Sequence, residues 1–445
     1  MVPVSPAAAR PSQIEAAELA ELGQALMSSK RGARQQARKR VLEIGDESLV
    51  PPLVDAIFFT PRNYRVDLYK TLEGLTGEKL TGYYEWIEYL GSREDIEPHP
   101  AYFDWKVALL ANIDPDYRKI FYPGAPLEIR LEEVVSGGVR LAGIPALDNP
   151  ATLPAGEARY LRPSERVFGV VAGGEARAYP LRILSWHELL NDVVGGEPVT
   201  LSYCTLCGSG IAYRPRTPAG GAYTFDTSGL LYRSNKLMVD RQTYSLWSNL
   251  TGEAVVGRAA PTGARLEVIP ATLTTWADWR AANPETTVLD LAPLKREYAG
   301  RYGFDYVPGA ADRARTGVAF PVWRKSNRLE RNTEVYAVRA GGAAKAYPLG
   351  LLARRGVVND RVGDQNLVLV SDAESGAVRA YHRGERTFTA APEGKGLIDA
   401  AGTAWRVDEG ALEDGTGNRL ERFPGHVAFW FGWFGFYPHT EVWEG

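Results

Sequence analysis

A chain of 445 residues exceeds what one ordinary hydrophobic core fills, so two or three domains are expected. Hydrophobic content of 45% with 24% charge and 11% aromatic residues excludes a disordered chain. A net charge of −3 gives no reason to expect nucleic acid as a partner, and no apolar run reaches the roughly 18 residues of a membrane span.

The opening "MVPVSPAAARPSQ" lacks the basic and apolar regions of a signal peptide. The compartment expected is therefore cytoplasmic, or exported if a leader was trimmed. Residues 14 to about 120 read as helical. "KRGARQQARKR", Lys30 to Arg40, carries six basic residues and no acid; a solvated helix face is expected, with an anion-binding patch as the alternative. In "LVPPLVDAI", Leu49, Val50, Leu53, Val54 and Ile57 recur on one helix face. Ser48 is the expected N-cap, and Pro51 and Pro52 fall in the first turn, where proline is tolerated. With the preceding helix and its Gly45–Asp46 turn, this pair suggests a short HEAT-type array, a surface through which a protein partner could be recruited.

After "FYPGAP", Phe121 to Pro126, short β-branched runs bounded by glycine pairs replace the helical pattern. The segment from Val167 aligns without a gap with the segment from Val335 at an offset of 168. The pairing matches Tyr179 with Tyr347, Asn191 with Asn359 and Tyr213 with Tyr381. A later stretch from Leu266 matches one from Leu420 at an offset of 154, pairing Trp276 with Trp430 and Trp279 with Trp433. The expected class is α+β: a helical, HEAT-like region over 1–125, then a mainly β module duplicated in tandem over 126–312 and 313–445. Each repeat unit should span roughly 110–125 residues. The paired asparagines and "AYPL" tyrosines should fix turns, and the paired tryptophans should serve the fold.

The duplication separates scaffold from chemistry. Cys204, Cys207 and His187 face Asp372, Ser375 and Arg355 in the alignment, and His426 faces Thr272. Sulfur and imidazole therefore belong to one copy only.

The segments "RAYPLRILSWHELLNDVVGGEPVTLSYCTLCGSGIAY", "SGLLYRSNKLMVDRQTYSLWSNLTGEAVVG" and "TTWADWRAANPETTVL" resemble the bacterial family known as domain of unknown function 3179, over about residues 125–445. The resemblance implies a Cys-x-x-Cys following a Trp-His-Glu segment, here Cys204 and Cys207 after Trp186, His187 and Glu188. Members often look exported, and some related chains carry selenocysteine, which suits redox or metal chemistry. Thr205 stands where many relatives have proline, which alters the thiol's surroundings.

Cys204 and Cys207 are the chain's only cysteines, too few for a disulfide framework. Two thiolates separated by two residues can converge on one atom, but they are half of a tetrahedral set. His187 is the nearest third ligand, His426 could approach from the second copy, and a thioether from Met238 would favour copper over zinc. The leading expectation is thus a metal-binding protein or metalloenzyme, with Cys204, Cys207, His187 and Glu188 as catalytic residues. A thiol–disulfide oxidoreductase is the first alternative, and a non-enzymatic partner-binding module the second. Glu188, Asp240 and Glu253 are candidate general acids or bases. A Cys–His acyl-transfer pair ranks lower, since it needs one cysteine and not two. "HELLN" places Asn191 where a zincin's second histidine should stand.

Overall fold

The computed structural model describes residues 14–294, 322–392 and 396–445. Its N-terminal part is helical: Ala16–Met27, Arg31–Ile44, Val50–Phe59, Arg65–Thr76, Tyr83–Ser92 and Tyr102–Leu110. Val50–Phe59 is the central helix, with every residue from Val50 to Ile57 buried. Its lead-in differs from expectation. Asp46, not Ser48, supplies the cap: its carboxylate accepts the Ser48 N–H and opens a one-turn 3-10 helix, Glu47–Leu49, ahead of the α-helix. Ser48 instead gives its carbonyl to the His99 N–H. The basic run on Arg31–Ile44 is ion-paired to neighbouring helices, Arg34 and Arg38 to Asp67 and Arg40 to Glu18.

The rest is largely β. One five-stranded sheet runs Val134–Ser136, Phe225–Tyr232, Asn235–Asp240, Leu246–Ser248, Ala254–Val256. A second runs Glu267–Ile269, Ser209–Arg214, Glu197–Cys204, Leu189–Val194, Leu147–Asp148. A third is built on Arg166–Ala172 and Glu175–Pro180, a four-stranded sheet on Glu334–Ala340 and Ala343–Pro348, and an eight-stranded sheet extends from Val357–Val362.

The two aligned stretches adopt the same order of elements. Strand, strand, helix, strand, strand occupy Arg166–Ala172, Glu175–Pro180, Leu181–His187, Leu189–Val194 and Glu197–Cys204. The same order recurs in Glu334–Ala340, Ala343–Pro348, Leu349–Arg355, Val357–Val362 and Gln365–Ser371. Individual bonds recur too. Tyr179 donates to Asp192 at 2.8 Å and Tyr347 to Asp360 at 2.9 Å. Asn191 exchanges two bonds with the backbone of Phe225, and Asn359 does the same with Phe388. These asparagines tether distant strands and not local turns, because each amide spans both groups of a strand's otherwise unpaired edge. Trp279 donates to Thr286 and Trp433 to Thr440.

Cores cross the segment boundaries. The helices share one apolar cluster with Val134, Leu230, Leu231, Leu237 and Val256 of the first sheet. Another joins Phe168, Tyr179 and Tyr203 to Tyr336, Tyr347 and Leu369. Lys106 reinforces the first junction from the helical side, reaching Asp55 and the Leu131 carbonyl. Removing the helices would strip a core and not detach an appendage.

Candidate functional site

Cys204 ends the strand Glu197–Cys204, and the turn Thr205–Gly208 returns the chain into Ser209–Arg214, with Cys204 paired to Ser209. Gly208 closes the turn at φ +60°, and a Cβ there would press on the Phe429 ring at 3.0 Å. Both cysteines are unbridged and buried, in an apolar cluster with Val322, Phe429 and Phe431. The second β segment closes over them: Phe429 N–H donates to the Cys207 carbonyl at 2.7 Å. Gly432 lies so near that a Cβ would stand 3.0 Å from that of Cys207.

The polar surroundings of the sulfurs are specific. Cys207 donates its S–H to the Ser234 carbonyl at 2.7 Å, and its side chain and N–H both lie against the Cys204 sulfur. Lys236, with a side chain 4% exposed, hydrogen-bonds the carbonyls of Glu188 and Tyr203, and its ammonium lies 3.9 Å from the Glu188 carboxylate. Thr205 donates to that carboxylate at 3.0 Å. Burial pushes the Cys204 thiol up, and the Glu188 charge adds to it. The Cys207 S–H and N–H and the Lys236 ammonium outweigh both, so the net shift is downward. Burial, followed by the hydrogen bond and charge of Cys204, holds the Cys207 thiol well above its ordinary range. Burial lowers Lys236, against the opposing charges of Glu188 and Cys204. Cys204 is thus the more acidic of the two thiols.

Backbone geometry marks the same place. Six described non-glycine residues have φ in the left-handed region, and three of them, Glu188 at 58°, Arg233 at 47° and Ser234 at 66°, frame the cysteines. Glu188 follows the helix Leu181–His187 as its left-handed cap; the matching position after Leu349–Arg355 is Gly356. A carboxylate has been placed where glycine costs least, which is how strain collects at functional sites.

Of the residues singled out from sequence, the structure gathers Cys204, Cys207 and Glu188. His187 commits Nδ1 to the Pro145 carbonyl at 2.8 Å. Met238 is fully buried in a different apolar cluster beside Trp247 and Phe225. Asp240 is consumed by bonds to Thr243, Ser245 and the Trp247 indole, and Glu253 pairs with Arg265. His426 sits on Gly425–Phe429, opposite Ala337, beside the Trp433 ring. Among the described residues, no group of three or more His, Cys, Asp or Glu side chains is arranged to hold a metal ion. No such side chains among the described residues join the two sulfurs as the further ligands of a tetrahedral site. Lys236 and Ser234 escaped the sequence reading, although a lysine inside an apolar strand is itself a signal.

Residues 141–440 match the family described as "Protein of unknown function (DUF3179)". The chain belongs to this family. No curated protein and no solved structure matches it. Within this DUF3179 member, no helix among the described residues is long and apolar enough to cross a membrane.

His426 has its own expected signature. Burial, with the Arg339 charge behind it, lowers the imidazole to about 3, and its Nε2 is buried without a hydrogen-bond partner. Unfolded, the ring takes a proton near pH 6.5, so the unfolded state binds more protons between about 3 and 6.5. Its stabilising contribution is complete above that window and is lost as pH falls through it. The ceiling is about 5 kcal/mol at 1.36 kcal/mol per pH unit; because the residue is only half-buried, about 2–3 kcal/mol is expected. Urea denaturation of wild type and His426→Phe across this range checks it, since the variant should lose most of the slope.

Proposed function

We propose that Cys204 and Cys207 form a thiol–disulfide redox pair, with Cys204 as the attacking thiolate and Cys207 as the resolving thiol. One observation carries the reading. In the second β segment the aligned Asp372 accepts the Ser375 N–H at 2.6 Å and the Ser375 hydroxyl at 2.8 Å. In the cysteine turn the Cys207 N–H faces the Cys204 sulfur as the Ser375 N–H faces Asp372, while the Cys207 S–H is given to the Ser234 carbonyl. The turn that holds a carboxylate anion in one segment favours a thiolate anion in the other.

The chemistry balances. The Cys204 thiolate attacks a disulfide, forming a mixed disulfide and expelling one thiolate. Cys207 then attacks the Cys204 sulfur and expels the second substrate sulfur, which leaves with the Cys207 proton as a thiol. The substrate disulfide gains two electrons and the Cys204–Cys207 bond is formed. Lys236 holds the first anion in place, and Glu188 is the nearest carboxylate for proton exchange.

The matching order of elements supports reading the β region as a tandem duplication over 126–312 and 313–445. Successive helices packing on one another support a HEAT-like 1–125. A copper or zinc site is the reading supported less, because His187, His426 and Met238 do not complete the sulfur pair.

Equilibrating the protein in glutathione or dithiothreitol buffers and counting free thiols by mass tests the proposal. A reversible two-electron couple between about −300 and −120 mV, abolished by Cys204→Ser or Cys207→Ser, is expected. Thiols unchanged across that range would sink the redox reading. Stoichiometric copper or zinc, released by Cys204→Ser, would replace it with the metal one.

A further inference from the structure

A cavity of about 580 Å3 opens between the strand Glu267–Ile269 and the four-stranded sheet, with Arg265, Val268, Arg339, His426 and Tyr437 in its wall. A second, of about 620 Å3, shares Arg265, Arg339 and Tyr437 in its wall and adds Glu128 and Glu253. Each is the size of an ordinary small-ligand site. Arg339 donates to the Tyr437 hydroxyl at 2.6 Å and forms no ion pair among the described residues, whereas Arg265 is 3.2 Å from Glu253. Glu253 pairs with Arg265 and the wall residue Glu267 with Arg214, so Arg339 keeps no carboxylate of its own, beside an imidazole whose Nε2 has no partner among the described residues.

The aligned place in the other segment shows what such a site accepts, a comparison that rests on the duplication reading. Thr272 is the counterpart of His426; they pair with Gly169 and Ala337, themselves counterparts. Around Thr272 the chain supplies its own carboxylate. Glu409 bonds Thr272 at 2.6 Å, Arg379 at 2.6 Å and Arg422 at 2.8 Å. Beside His426, the positions matching Arg422 and Arg379 are Val268 and Ile211, and the space is open. Cation remains, now from Arg339 and Arg265, but the internal carboxylate is missing.

We propose that this cavity binds a small carboxylate anion from solution, held by Arg339 and Arg265 through charge-assisted hydrogen bonds and reaching toward His426 and Tyr437. Arg265 is already paired to Glu253, so one ligand carboxylate is gathered at Arg339 and a second competes with Glu253 for Arg265. The site is separate from the cysteines, and its occupancy does not depend on their chemistry.

Calorimetric titration of the full-length protein with succinate, neutral succinamide and inorganic phosphate tests this. Succinate should bind saturably with Kd of about 0.1–1 mM, more tightly than phosphate, and succinamide should not bind. Arg339→Gln should weaken succinate at least about tenfold. Arg265→Gln, a half-exposed position that is safe for folding, should weaken it severalfold. No saturable succinate binding below about 10 mM, or unchanged affinity in Arg265→Gln and a folded Arg339→Gln, overturns the site. Phosphate binding more tightly than succinate overturns the carboxylate assignment.

Discussion

Replacing Glu409 by Gln should cost about 3–5 kcal/mol of folding stability, read as a lower urea midpoint at unchanged slope. Glu409, with a side chain 8% exposed, sits between Arg379 and Arg422, which are 11% and 3% exposed. Burial alone would raise its carboxyl. The two guanidiniums and the Thr272 hydroxyl reverse that and bring it to about 2. The amide keeps the shape and removes the charge, so Arg422 is left buried without an anion and Arg379 keeps only the partly exposed Asp278, 3.7 Å away. Because Thr272 belongs to the first β segment and also accepts from Arg422 at 2.9 Å, the cluster pins the two segments together. Thr272→Val should cost only about 1 kcal/mol, the net worth of a hydrogen bond. The Glu409 contribution is present above the ordinary carboxylate range and fades as pH falls toward 2, so the variant's deficit should be undiminished at neutral pH. A loss under about 1 kcal/mol would mean that water or a shifted side chain satisfies the arginines.

That cluster was invisible in the sequence for a physical reason. Arg379 and Arg422 come from separate strands and Glu409 from the turn between Ala404–Val407 and Ala411–Asp414, and nothing local in any of them records which distant charge will meet it. The helical region was legible because Leu49, Val50, Leu53, Val54 and Ile57 encode a face by spacing alone. The constant offsets were legible because two stretches obey the same packing, and each element of one lies where its counterpart predicts. Asp46 was missed as a cap since a 3-10 turn intervenes before the helix proper. Met238 attracted notice for its thioether, and Lys236, two residues earlier on the same strand, did not. Both face the strands that follow Glu188 and Tyr203, Met238 packing beside Trp247 and Lys236 reaching the carbonyls beside Cys204. Glu188 carried the most readable signal: a carboxylate at a helix end where the aligned segment has Gly356.

Lys236→Met should convert Cys204 from a depressed thiol into an elevated one. In the native chain the ammonium and the Cys207 hydrogen bonds must together overcome burial and the Glu188 charge. Without the ammonium, Glu188 and burial oppose the thiolate with only Cys207 in its favour. Thiolate ultraviolet absorbance against pH reports this without requiring a reagent to reach a buried sulfur. The native midpoint should lie below the ordinary thiol value of about 8.5, and the variant's at least about one unit higher than the native. At fixed neutral pH that is about a tenfold smaller thiolate share, with a matching fall in the rate of disulfide exchange. Stability should fall as well, by about 2–3 kcal/mol, because the Glu188 and Tyr203 carbonyls lose a charged donor. Met238→Leu, two residues along, provides the contrast: a core exchange of similar volume should cost under about 1.5 kcal/mol and leave the thiolate midpoint unmoved. If Lys236→Met leaves that midpoint in place, the anion is held by Cys207 alone, and Lys236 serves only to tie the strands of Glu188 and Tyr203.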